Sequence, residues 1–181
     1  MRQAAQRPSA EGAPAVRRAR TSDVRTIRKL VDTYSGDGPR LLRKSTVTLY
    51  EDVQEFWVAE RDGMVVGCGA LHVLWEDLAE IRTVAVDAGC RGMGIGHMIV
   101  AALIDAARRL EVQRVFCLTF EVEFFGRHGF VPIQGTPVSP EVYAELLDSY
   151  DEGVAEFLDL EHVKPNTLGN TRMLLHVNPR S

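Results

Sequence analysis

Apolar residues recur along this chain in two rhythms, one of about two residues and one of three to four. Their alternation predicts a mixed sheet flanked by helices. Residues 16–19 read as a first strand, and Thr21, Ser22 and Asp23 supply helix N-cap chemistry. Val24, Ile27, Leu30, Val31 and Tyr34 then mark one face of a helix. Residues 35–40, SGDGPR, read as a loop and residues 49–55 as a short helix. A strand over 56–60 turns at Arg61-Asp62-Gly63 into a second over 65–74, where Gly67 and Gly69 predict a bend or bulge. The next strand, 80–86, sets Ile81, Thr83 and Ala85 against Arg82, Val84 and Val86 on the opposite side. A glycine-rich turn leads to a helix whose buried face is expected at Ile99, Leu103, Ala106 and Leu110. A strand over 114–120, a short helix over 124–128 ended by Gly129, and a strand over 130–133 follow. A helix over 140–150 and a last strand over 173–177 close the pattern. The order is β-α-α-β-β-β-α-β-α-β, then a helix and a strand, with no internal repeat.

The turn Arg91-Gly92-Met93-Gly94-Ile95-Gly96 carries the chemistry. A helix start presents unpaired N–H groups and the positive end of its dipole, so a glycine-rich strand-to-helix turn is an anion site. Two nucleotide loops fail on spacing. The third glycine of G-x-G-x-x-G falls one position early, leaving His97 in its place, and no Lys-Ser or Lys-Thr follows a glycine. What remains is R-x-x-G-x-G behind a V-x-V strand at Val84 and Val86.

At 181 residues the length suits one domain, and a 45% apolar content suits a globular core. Residues 1–15 read as a disordered leader. No apolar run approaches the ~20 residues that span a membrane, and no signal-peptide core is seen. A cytoplasmic protein is expected. The three cysteines, Cys68, Cys90 and Cys117, lack metal-ligand spacing and read as reduced thiols, and no metal is expected. The net charge of −4 argues against nucleic acid as a partner and leaves an anionic ligand to local cations and amides.

The V-x-V strand with Arg91 to Gly96, and LTFEVEFFGRHGF at 118–130, resemble the GCN5-related N-acetyltransferase (GNAT) family. The resemblance implies a single α/β domain over 16–178. Its mixed central sheet would have two parallel strands that splay apart around acetyl-CoA, between the strand ending near Val86 and the one beginning near Arg114. It implies that the amides of Arg91, Gly92, Met93, Gly94, Ile95, Gly96 and His97 hold the pyrophosphate. Val84 and Val86 would pair with the pantetheine arm, the Val84 N–H meeting the carbonyl oxygen. Many members carry a general-acid tyrosine five residues before the final Phe; Phe125 stands there in this chain. The segments LLRKSTVTLYEDVQEFWVAE, GCGALHV and FLDLEHVKPNTLGNTRMLL narrow the likeness to short-form bacterial N-acetylglutamate synthases of arginine biosynthesis. Glutamate, with glutamine beside it, is then the implied acceptor.

An ammonium acceptor must lose a proton before it attacks, and Glu80 at the head of the V-x-V strand is the candidate base. Its rival reading is a solvated strand-end carboxylate. An acceptor's carboxylates need cations; Lys44, Arg43, Arg82 and Arg172 are candidates, with Thr171 adding a hydroxyl. Cys117 reads as a small buried hydrophobe rather than a nucleophile, and His72 and His128 as residues without a catalytic partner. The partner expected is a small-molecule amino acid, with a homodimer as an open assembly. Two alternatives stay open: acetyl transfer to another amine (a protein N-terminus, a polyamine, an antibiotic) and a non-catalytic acyl-CoA-binding module.

Overall fold

The computed structural model describes residues 12–34, 45–148 and 169–177. Their strands form a seven-stranded sheet ordered β1-β2-β3-β4-β5-β7-β6. β1 (Ala15–Arg18), β2 (Phe56–Arg61), β3 (Met64–Trp75) and β4 (Leu78–Val86) make an antiparallel run. Asp62 and Gly63, both with positive φ, turn the chain between β2 and β3. β5 (Arg114–Thr119) lies parallel to β4, as a strand reached through a helical crossover does. β7 (Thr171–His176) returns antiparallel between β5 and the short β6 (Val131–Pro132).

Helices cover both faces. The stripe foreseen on α1 (Val24–Tyr34) is buried with Leu49 of α2 (Thr46–Glu51) against Phe56, Val58, Cys68 and Ala70. On the other face α3 (Ile95–Arg109) buries Ile99 and Leu103 against Leu71, Ala79, Ile81 and Val115. Each such aliphatic side chain stabilises the fold by about 2 kcal/mol. α4 (Val122–Gly126) joins this core through Phe125, and α5 (Pro140–Leu146) packs Leu146 near Leu74, Leu78 and Phe116.

Leu110, expected on the buried face, is 57% exposed. It is the C-cap of α3, where the chain leaves the helix and the 3.6-residue rhythm stops applying. Gly67 and Gly69 do sit beside register shifts. Their reason is also close packing, since a Cβ at Gly69 would lie 2.8 Å from Ile99 and one at Gly67 would lie 2.9 Å from it.

The simple alternation expected in β4 does not hold. Cys68 faces Ala85 and Ala70 faces Arg82, so β4 spends one residue more than β3. Thr83, at φ 58°, lies in this β-bulge. Before it Ala79 and Ile81 face α3; after it Val84 and Val86 pack on that core, while Ala85 joins the α1 core. The bulge reverses the phase of the strand.

Candidate active site

β4 and β5 are paired only at Leu78, Ala79 and Glu80, against Arg114, Val115 and Phe116. Beyond Glu80 they part. A cavity of about 390 Å³ opens there, lined by Ile81 to Val84 and Val86 on one side and Leu118 to Glu121 on the other. Tyr34, Arg91, Gly96, Phe124 and Phe125 complete its wall. From Glu80 at the apex to Val86 at the mouth is about 20 Å of strand.

Beyond Glu80 the β5-side edge of β4 has no strand partner. Asp87 N donates to Val66 O, which faces the odd positions near the strand end toward β3. Bonds alternate along an antiparallel strand, so the N–H and C=O of Val86 point into the gap. Val84, just past the bulge at Thr83, lines the same gap.

At the mouth the chain makes a 3₁₀ turn, Ala88–Cys90, whose start is held by Asp87 Oδ1 accepting from Gly89 N. Gly92 and Gly94 both have φ 77°. Gly94 is the N-cap of α3, with no side-chain capping bond and no acidic residue in the first turn. The first N–H groups of α3 therefore keep their capacity for an anion. Gly96 serves a second purpose, since a Cβ there would come 3.2 Å from the Phe124 ring. Met93 is exposed and touched at Sδ by Arg61 Nη1 at 3.3 Å.

Tyr34 was foreseen only as a helix-face residue. Its hydroxyl donates to Val86 O at 2.5 Å and accepts from Arg91 Nε at 3.2 Å. The signal was a tyrosine closing a buried stripe, since such a hydroxyl needs a partner. His97 and His128 also acquire partners, each other, at 2.8 Å between Nδ1 and Nε2. Burial, and then the neighbouring His97, lower the pKa of His128. The Phe125 ring stacks edge-to-face on Phe124 and Phe130, at 5.1 and 5.4 Å, and offers no proton.

Glu80 is 4% exposed, so the solvated strand-end reading fails. Arg82 lies beside it, with Nη1 3.8 Å from Glu80 Oε2. The same guanidinium reaches Glu55 at 3.2 Å and Asp52 at 3.8 Å, from the segment between α2 and β2. Glu55 turns its other oxygen to His72 Nδ1 at 2.7 Å, so His72 has the partner that the sequence did not reveal. Asp52 and Glu55 were missed because the register that brings them to Arg82 is not written in their own segment. Burial, and then the negative charge of Glu80, hold the Cys117 thiol well above its ordinary pKa. Thr171 and Arg172 begin β7 opposite Thr119 and Leu118, at the open end of β5, with Arg172 Nη1 3.5 Å from Thr136 Oγ1. Lys44 and Arg43 lie outside the described residues. Among the described residues, no group of three or more His, Cys, Asp or Glu could hold a metal ion. No helix there is long and apolar enough to cross a membrane.

The acetyltransferase (GNAT) family model matches residues 25–130. An amino-acid acetyltransferase of Mycobacterium tuberculosis is 67% identical over 165 residues, covering 90% of this chain and 94% of that protein. A crystal structure from the same organism, in complex with CoA and NLQ, superposes with a TM-score of 0.88 at 66% identity and covers 91% of this chain and 99% of that one. N-acetylglutamate synthase from Neisseria gonorrhoeae, complexed with coenzyme A and N-acetyl-glutamate, superposes with a TM-score of 0.72 at 23% identity. That match covers 94% of this chain and 36% of the synthase, and at such identity speaks for the fold alone.

Proposed function

This chain belongs to the acetyltransferase (GNAT) family, and from that membership we propose that it transfers the acetyl group of acetyl-CoA to the α-amine of glutamate or glutamine. The 67% identity to an amino-acid acetyltransferase supports the acceptor class. One observation carries the reading. A single gap has Arg91 and Gly96 of a glycine-rich helix start in its wall, and the strands that form it begin to part at Glu80, a buried carboxylate beside Arg82 of the same wall.

Acetyl-CoA is the donor substrate. Residues 91–97 with Arg91 hold its pyrophosphate, and the β4 edge at Val84 pairs with the arm. The acceptor arrives as an ammonium ion, and Glu80, or a water it orders, takes one proton. The freed amine attacks the thioester carbonyl, whose developing negative charge meets the N–H of Val84. CoA leaves as a thiolate, and the second proton of the amine nitrogen passes to that thiolate or to water as the amide forms. A thiol with an ordinary pKa of about 8.5 can leave near neutral pH without a tyrosine acid, which suits Phe125. Lys44, Thr171 and Arg172 are assigned to the acceptor's carboxylates. The carboxylates of Asp52, Glu55 and Glu80 surround and outnumber Arg82, so its charge serves the cluster first.

That same cluster favours one alternative, a cationic acceptor. The two readings separate in one assay, in which free thiol is followed after acetyl-CoA is mixed with amino acids, polyamines and peptide N-termini. Release with glutamate or glutamine alone is expected. Release with polyamines alone would overturn the acceptor class, and no release with any amine would leave a binding module. A domain over 16–178, a cytoplasmic setting and a homodimer belong to the same proposal, the setting supported by three free thiols.

A further inference from the structure

We propose that Tyr34 is a positioning residue that makes the mouth of the gap selective for the phosphorylated carrier over its acyl arm. This rests on the reading of residues 91–96 as the pyrophosphate loop. Tyr34 is the last residue of α1, remote in sequence from both groups it holds. Its hydroxyl donates to Val86 O at 2.5 Å and accepts from Arg91 Nε at 3.2 Å. The guanidinium carbon of Arg91 stands 5.2 Å from the centre of the tyrosine ring.

Two consequences follow. The Val86 carbonyl points into the gap, where strand parting leaves it without a sheet partner. Tyr34 satisfies it and fixes the end of β4 from which the glycine-rich turn departs. Pairing with the arm therefore falls to Val84 and to the Val86 N–H.

The second consequence concerns Arg91, an exposed side chain with many rotamers of its own. Stacking on the ring and the bond at Nε leave the edge carrying Nη1 and Nη2 as a fork aimed by Tyr34. A pre-aimed fork binds a phosphate more tightly than a wandering one, because less freedom is lost on binding. The acyl arm, which carries no charge, gains nothing from it.

Calorimetry with CoA and with pantetheine, which lacks all the phosphates, tests this. Wild-type protein is expected to prefer CoA strongly. Tyr34→Phe keeps the ring and removes the hydroxyl, and it is expected to raise the CoA Kd about tenfold and that of pantetheine less than about twofold. Tyr34→Leu, which also removes the ring, should raise it further. In an Arg91→Ala background Tyr34→Phe should add less than about twofold, since the two substitutions remove one interaction. An unchanged CoA Kd in Tyr34→Phe, an equal weakening of both ligands, or an undiminished effect in the Arg91→Ala background would each overturn the proposal. A wild-type protein without preference for CoA would overturn the pyrophosphate reading itself.

Discussion

The two faces of the sheet contribute to the site by different means. On the α3 face the side proposed for the donor is built from backbone: two left-handed glycines, an uncapped helix start and the open edge of β4. On the α1–α2 face the side proposed for the acceptor is built from charge, with Glu80 and Arg82 set among Asp52 and Glu55. A backbone site tolerates changes of side-chain type but not of φ or bulk. A charge site tolerates neither loss nor neutralisation but is indifferent to backbone freedom.

Substitutions can break that contrast, and Glu80→Gln does so hardest. It keeps the shape and removes the proposed base, so kcat should fall about 10²- to 10⁴-fold, while calorimetry gives the CoA Kd of the wild type. An undiminished kcat would remove Glu80 from the chemistry. Gly94→Val is the counterpart on the donor side. Its Cβ would meet open space, so the cost is strain at φ 77°, and the CoA Kd should rise about 10- to 100-fold. Met93→Ala, one residue away, should change that Kd less than about twofold because amides do not depend on the neighbouring side chain. If both variants bound CoA as the wild type does, the backbone account would be wrong.

Arg172→Ala comes third. Steady-state kinetics should show the acceptor KM about tenfold higher with the acetyl-CoA KM unchanged, the loss of one bond to a charged group. A matched rise in both would indicate damage to β7 rather than a lost contact. Cys117→Ala should do least. Burial, and then the charge of Glu80, hold the pKa of this thiol well above its ordinary value, which disfavours a thiolate step, and kcat should stay within about twofold. A large fall in kcat with an unshifted Tm would reinstate a nucleophile.

Legibility followed the same divide. The donor side lay in one contiguous stretch, and its glycines, helix and strand are where the residue pattern put them. The acidic surround of Arg82 was not legible, because Asp52 and Glu55 reach it from the neighbouring segment, Glu55 being held in turn by His72 of β3. Tyr34 was visible as an amphipathic end to a buried stripe, but its partners lie 52 and 57 positions away. The alternation in β4 failed for a local reason. A strand of mixed apolar and small residues does not announce an extra one, and Thr83 is not a residue type that marks positive φ.

That extra residue gives β4 something akin to a reading frame. Upstream of Thr83 the strand turns Glu80 and Arg82 to one face; downstream it turns Val84 and Val86 to the other. Deleting a single residue there would leave every amino acid of the site present and set half of them on the wrong side. The donor and acceptor halves would then be inherited intact yet out of phase, and the segment can be exchanged between proteins only as a whole.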